Sequence, residues 1–342
     1  MKVAFCTYPN TNQNIGGVQM RVNRTFKELR KAGVDVELFD QWRHHLSEFE
    51  ILHSFKLHHS VQELVLTANK RRVCNVISTV LPPEYPVRTV RVMSEFWKRN
   101  IGRNLLAHTI YSQAKVADGL IAVSRAEANI IENAFSVPAD KIHVISNCAD
   151  AALYGSADPS IFREKFELER YVLMIGRVEP NKNQLRLIRA MKAIDLPLVV
   201  VGRISDDAQD YAAQCRKEGG GRVKFIDHLP YNSELLASAY AGAEAFVLPS
   251  VSEIAPNSTI EAAMAGTRIV VTRNSLAPAE WFGGSATYVN PLDEQDIAEQ
   301  LNYALKRPRD LPFRSRILDE FSWESGVKKL KTVYETVLER RG

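Results

Sequence analysis

No CxxC pair occurs in this chain of 342 residues, and its four cysteines, Cys6, Cys74, Cys148 and Cys215, stand far apart. That spacing excludes the common zinc motifs and a disulfide framework, and it suits a reducing cytoplasm. No apolar run approaches the ~20 residues that cross a bilayer. Met1 leads directly into the strand-like Val3-Ala4-Phe5-Cys6-Thr7 rather than into a leader peptide. The expected location is therefore cytoplasmic. The absence of GxGxxG argues against a dinucleotide oxidoreductase. The absence of an arginine-rich helix or an aromatic-and-basic sheet motif argues against nucleic acid. There is no DxD, and Asp206-Asp207 falls at an expected helix start, where capping is the simpler role. His44-His45 and His58-His59 are adjacent pairs that cannot share a helix face, so no metal site is expected.

What is present is the composition of a soluble globular protein, 45% hydrophobic and 25% charged, long enough for two domains. The net charge of +4 is uneven, with 19 Lys and Arg against 14 Asp and Glu over residues 1–155 and 25 against 26 beyond. The excess suits an anionic acceptor or peripheral contact with an anionic membrane, and it also lies within ordinary variation. Arg88, Arg91, Lys98, Arg99 and Arg103 would form either a basic docking face or a plain solvated helix face.

Strand and helix alternate twice over. Apolar runs predict strands at 2–7, 34–39, 49–53, 73–79, 118–124 and 141–147, then at 171–176, 197–202, 223–227, 245–249, 268–272 and 286–289. Val18, Val22, Phe26 and Leu29 recur at helical spacing, and Gly33 stops that helix. Further helices are expected near 183–194, 206–218, 233–241, 257–265 and 293–306, and an amphipathic one at 324–340. This alternation implies parallel sheets with right-handed crossovers, hence an α/β fold of two doubly wound, Rossmann-like domains. Ala157-Asp158-Pro159 interrupts the pattern, which places the boundary near 153–169.

Glu253 and Glu261 stand eight residues apart around an expected helix start. One precedes the unpaired N–H groups of that helix and the other lies about one turn inside, so a diphosphate flanked by two sugars would meet them in order. Helix-dipole preference alone also places glutamates there, with Ser252 as a cap. Arg177 and Lys182 follow the apolar run Tyr171–Ile175, at the strand end where α/β ligands collect. Each alone also fits an exposed basic loop; together they would neutralise a diphosphate. Gly16-Gly17 follows the first strand and would let backbone approach a ligand, or form a plain turn.

In this order the motifs resemble the family 4 retaining glycosyltransferases of the GT-B fold. The resemblance runs over nearly the whole chain: Gly16-Gly17-Val18, the run Ala117 to Ser124, Lys141 to Asn147, Gly176-Arg177-Val178 with Lys182-Asn183, Val247-Leu248-Pro249-Ser250, and above all Glu253 to Gly266, which matches the family's paired-glutamate motif. The resemblance implies two domains facing a cleft: an acceptor-side domain over 1–155, a nucleotide-sugar domain over 156–323, and a helix at 324–342 returning to the first. It implies that Arg177 and Lys182 neutralise the donor diphosphate and that Glu253 holds the transferred sugar. Glu261 would take the ribose hydroxyls, and the Asn257 and Ser258 N–H groups would face the distal phosphate. Gly16 and Gly17 would close on the donor from the other domain. A UDP- or GDP-linked sugar is the implied substrate, with no cofactor or metal, and the implied acceptor is a glycan, a lipid-linked species or a small molecule. The family's histidine after the strand at 73–79 is absent from Ile77 to Pro83, leaving His53 as a substitute to examine. The family's Asn-Gly pair is Asn147-Cys148 here, and its Phe-Gly is Ala255-Pro256, with Pro256 compatible with the first helical position. A sugar-nucleotide epimerase and a nucleotide-sugar-binding protein without catalysis are the alternative functions.

Overall fold

The computed structural model describes residues 1–341 except 12, 14, 15 and 82–105. The chain forms two compact units, Met1–Asn147 with Trp323–Gly342, and Cys148–Ser322.

The first unit is a parallel sheet of β1 (Lys2–Cys6), β2 (Asp35–Leu38), β3 (Ile51–Phe55), β4 (Cys74–Ser78), β5 (Gly119–Ala122) and β6 (Ile142–Val144), in the order β2-β1-β3-β4-β5-β6. Its helices are α1 (Gly17–Lys31), α2 (His59–Lys70), α3 (Leu106–Val116) and α4 (Arg125–Phe135). Strands buried on both faces read as unbroken apolar runs because helices cover each side. Val22 and Leu29 of α1 pack with Val3 and Phe5 of β1, Ile51 and Phe55 of β3 and Val76 of β4. The last helix of the chain joins that core through Val327, Leu330, Val333, Tyr334 and Val337.

The second unit holds β7 (Val172–Ile175), β8 (Leu198–Val201), β9 (Val223–Ile226), β10 (Ala245–Leu248), β11 (Arg268–Thr272) and β12 (Thr287–Val289), all parallel, in the order β12-β11-β10-β7-β8-β9. Its helices are α5 (Ala151–Gly155), α6 (Ser160–Phe166), α7 (Gln184–Ala190), α8 (Gln209–Gly219), α9 (Glu234–Gly242), α10 (Asn257–Met264), α11 (Pro278–Phe282), α12 (Glu294–Lys306) and α13 (Leu311–Glu320), and the chain ends in α14 (Trp323–Glu339) of the first unit. The strand order runs outward from β7 through β8 and β9, then restarts at β10 on the other side of β7. Such a reversal leaves a crevice at the carboxyl ends of the two central strands. Here those ends are Ile175 and Leu248.

His53 does not face ligand space in the first unit. It is fully buried, its Nδ1 is 2.6 Å from the Tyr334 hydroxyl and its Nε2 is 2.9 Å from Ser78 Oγ, and its ring stacks on Phe55. Burial and nearby Arg21 push its pKa well down, so the ring is neutral. With both nitrogens engaged, His53 fastens α14 to β3 and β4 and is not a substitute for the missing sugar-binding histidine. Tyr334→Phe orphans one buried ring nitrogen and is expected to cost about 1–3 kcal/mol, read as a lower urea midpoint for the transition that includes the first unit. An unchanged midpoint would show that the bond contributes nothing.

Candidate active site

Pairing of β7 with β10 brings their following loops side by side. Asn183 ties them together. It adopts left-handed backbone (φ 66°), which asparagine tolerates, and its buried amide donates to the carbonyls of Pro249 (2.9 Å) and Pro291 (2.6 Å). The Val251 N–H donates to the Asn181 carbonyl at 2.8 Å, and Asn181 Nδ2 donates to the Ser252 carbonyl at 3.2 Å. Gln184 Nε2, also buried, donates to the Arg177 carbonyl at 2.7 Å. These bonds fix the short turn that carries Lys182.

Lys182 crosses Gly176, where a side chain would meet its methylenes at 3.7 Å, and places Nζ 2.5 Å from Glu253 Oε1. The two side chains retain 18% and 10% exposure, so the pair is largely removed from water. Glu253 is itself held by its backbone, which pairs with Asn274 and Leu276 in the loop after β11. Arg177 is brought to the same strand edge but not into the pair. Its side chain is 61% exposed and rests 3.3 Å from Glu179, which also accepts from Ser205 Oγ at 3.0 Å.

The loop after Glu253 runs into α10. Pro256 occupies the N-cap position, not the first helical one, and no side chain caps the helix. Asn257 and Ser258 are the first two helical residues, whose N–H groups have no intrahelical acceptor. Ser250 Oγ at the end of β10 and Asn257 Oδ1 are buried without a hydrogen-bond partner among the described residues. Glu261, one turn in, points to the interior with 4% exposure, and its Oε2 accepts from the Tyr240 hydroxyl at 2.7 Å. Burial raises its pKa to about 7 against the lowering effect of that bond.

Gly16 and Gly17 belong to the first unit. Gly16 caps α1 in extended conformation, and a side chain at Gly17 would meet nothing within 4 Å. No contact among the described residues of that unit therefore demands a glycine at 17. Arg88, Arg91, Lys98, Arg99 and Arg103 lie outside the described residues. Among the described residues no group of three or more His, Cys, Asp or Glu side chains is placed to hold a metal ion, and no helix is long and apolar enough to cross a membrane. Sequence reasoning assigned no role to Tyr240, Asn183 or Ser250. For Asn183, the signal was its residue type, since asparagine is one of the few residues that visits αL. Tyr240 carries no local signal at all.

Residues 169–307 match the family model described as glycosyl transferases group 1. An uncharacterized glycosyltransferase of Methanocaldococcus jannaschii is 28% identical over 65% of this chain and 61% of its own length. An MMP alpha-(1->4)-mannosyltransferase of Mycolicibacterium hassiacum is 26% identical over 78% of this chain and 66% of its own. The chain thus spans less than two thirds of either relative. In three dimensions it superimposes on sucrose-phosphate synthase of Thermosynechococcus elongatus with a TM-score of 0.77 at 15% identity, covering 99% of this chain and 100% of that one. With two parallel six-stranded sheets and this likeness over its whole length, the chain has the GT-B fold, and its β7–α12 region matches the group 1 glycosyl transferases.

Proposed function

We propose that this protein moves a hexosyl group from a nucleoside-diphosphate sugar to a glycan, lipid-linked or small-molecule acceptor, with retention at the anomeric carbon. The observation that carries the reading is the Lys182–Glu253 pair beside the uncapped N-terminus of α10, with Glu261 one turn inside. Cleavage of the glycosyl–phosphate bond leaves charge on the diphosphate. Lys182, Arg177 and the first N–H groups of α10, at Asn257 and Ser258, supply fixed positive ends that gain most when that charge develops. Before the donor arrives, Lys182 is neutralised by Glu253. A diphosphate shares the ammonium with that carboxylate, and Glu253 then turns its acceptor oxygens to hydroxyls of the transferred sugar. Gly17, with open space where a side chain would stand, leaves backbone for a donor contact beside Gly16. The mannosyltransferase likeness supports mannose as the first sugar to test. The basic excess over residues 1–155 supports an anionic or lipid-linked acceptor reached at a membrane surface.

Incubation of the protein with GDP-mannose, UDP-glucose or ADP-glucose and a panel of glycan and lipid-linked acceptors is expected to give an acceptor heavier by one hexose by mass spectrometry, with the anomeric configuration retained by NMR. An epimerised nucleotide sugar without acceptor product would replace transfer by epimerisation. Nucleotide binding with neither product would leave a binding protein.

A further inference from the structure

Glu261 is an almost fully buried carboxylate with no cation beside it among the described residues. An ionised oxygen pair in so dry a place is short of partners. Its carboxylate makes one side-chain hydrogen bond among the described residues, from the Tyr240 hydroxyl to Oε2, and Oε1 receives none. Tyr240 is itself held rigidly. It is fully buried on α9, its ring meets Tyr154 edge-on at 5.8 Å and Phe246 at 5.6 Å, and its carbonyl accepts from Thr267. The hydroxyl has little freedom to choose another acceptor.

The other elements packed on α10 leave this bond undisturbed. From α5 comes Tyr154, and from the loop before α9 comes Tyr231, which acts weakly on Tyr240. From α13 comes Arg314, whose guanidinium donates to the carbonyls of Met264 and Gly155. Strand β10 is wholly apolar, and the one charged residue of β11, Arg268, donates to the Arg307 carbonyl and to Glu244.

We propose that Tyr240 is the positioning residue of ribose recognition: it occupies Oε2 of Glu261, so that Oε1 is presented to the donor's vicinal hydroxyls, and it favours the ionised carboxylate that those hydroxyls need. This rests on the proposed role of Glu261. In the free protein Glu261 holds its proton up to about pH 7. Two ribose hydroxyls donating to the carboxylate displace that proton to solvent. Donor affinity therefore rises with pH up to about 7 and levels above it, where the free carboxylate is already ionised. Without the tyrosine hydroxyl the free acid is weaker still, and the rise extends to higher pH.

The test is calorimetric titration of the intact protein with whichever of GDP-mannose and UDP-glucose binds, since their diphosphates do not titrate between pH 5.5 and 8.5. Wild type is expected to gain affinity up to about pH 7 and to release a proton on binding at pH 6.5, read from two buffers of different ionisation heat. Tyr240→Phe is expected to bind about 2- to 5-fold more weakly at pH 7 and about 3- to 10-fold more weakly at pH 5.5, as a shift of half to one pKa unit implies. Its affinity recovers toward wild type by pH 8.5, and kcat at saturating donor is little changed. Damage to packing would not be repaired by raising the pH. Glu261→Gln is expected to bind weakly with a flat pH profile. If Glu261→Gln binds as tightly as wild type, the ribose role of Glu261 itself fails. If it weakens binding while Tyr240→Phe keeps the wild-type profile, only the role of Tyr240 fails. Should Tyr240→Phe not fold, absence of proton release in wild type overturns the proposal.

Discussion

Lys182→Ala is expected to lower the rate of sugar transfer by about 10²–10³-fold, the usual cost of deleting one fixed charge-stabilising donor. Lys182 meets Glu253 at 2.5 Å with little solvent on either side, so the substitution also strands a nearly buried carboxylate. Breaking such a pair from one side costs on the order of 3–5 kcal/mol, most of it the penalty of the unpaired charge. A lower melting temperature would therefore accompany the lost activity, and the two effects must be separated. The double variant Lys182→Ala/Glu253→Gln removes the stranded charge, so its melting temperature should return most of the way to wild type while transfer stays at the level of Lys182→Ala or below. Recovery of activity together with stability would show that Lys182 serves the fold and not the diphosphate. Arg177→Ala is the useful contrast. Its guanidinium is mostly in water and among the described residues pairs only with Glu179, so its loss should leave stability unchanged.

The strands were legible because parallel sheets covered on both faces leave continuous apolar runs. Val172–Ile175, Leu198–Val201 and Ala245–Leu248 are such runs, and each forms a strand within a residue or two of its expected limits. Helix α1 was legible from the spacing of Val18, Val22, Phe26 and Leu29. Expected helix 183–194 is shorter. Asn183 leaves helical space, and the helix tightens into a 3-10 turn at Met191–Ala193. Helices α5 and α6 carry no periodic signal because each buries one aromatic, Tyr154 or Phe162. Their first turns are fixed instead by the Leu153 and Ser160 N–H groups, which donate to the Asp150 and Asp158 carboxylates. At the site, the spacing of Glu253 and Glu261 pointed to a helix start, and that is where they lie. What those side chains touch was not legible. Lys182 meets Glu253 because β7 and β10 adjoin, and Tyr240 meets Glu261 because α9 and α10 pack together; contacts made by topology leave no local trace in the sequence.

Gly202→Ala is expected to be the most damaging single methyl in the second unit. A Cβ at Gly202 would stand 1.9 Å from the Gly176 oxygen and 2.6 Å from its carbonyl carbon. Both are backbone atoms, so no rotamer change can relieve the clash. The ends of β7 and β8 are also pinned, with the Gly176 N–H donating to Val201 and the Gly202 N–H to Ile226. Admitting the methyl means parting those strand ends and breaking at least one of the bonds. Overpacking that side chains can absorb costs about 1–3 kcal/mol; with only backbone to move, the cost should reach at least ~3 kcal/mol. For a domain of this size that lowers the melting temperature by roughly 6–12 °C. The displaced strand end is also the one that leads through Gly176 and Arg177 to Lys182, so nucleotide affinity should fall even below the melting transition. Gly176→Ala separates the two consequences. Its Cβ would touch only the Lys182 methylenes, at 3.7 Å and beyond, which is ordinary contact. Its melting temperature should stay near that of wild type. If Gly202→Ala melts no lower than Gly176→Ala, the strand ends do not approach as closely as 1.9 Å implies, and the proposed diphosphate site is not braced from beneath by β8.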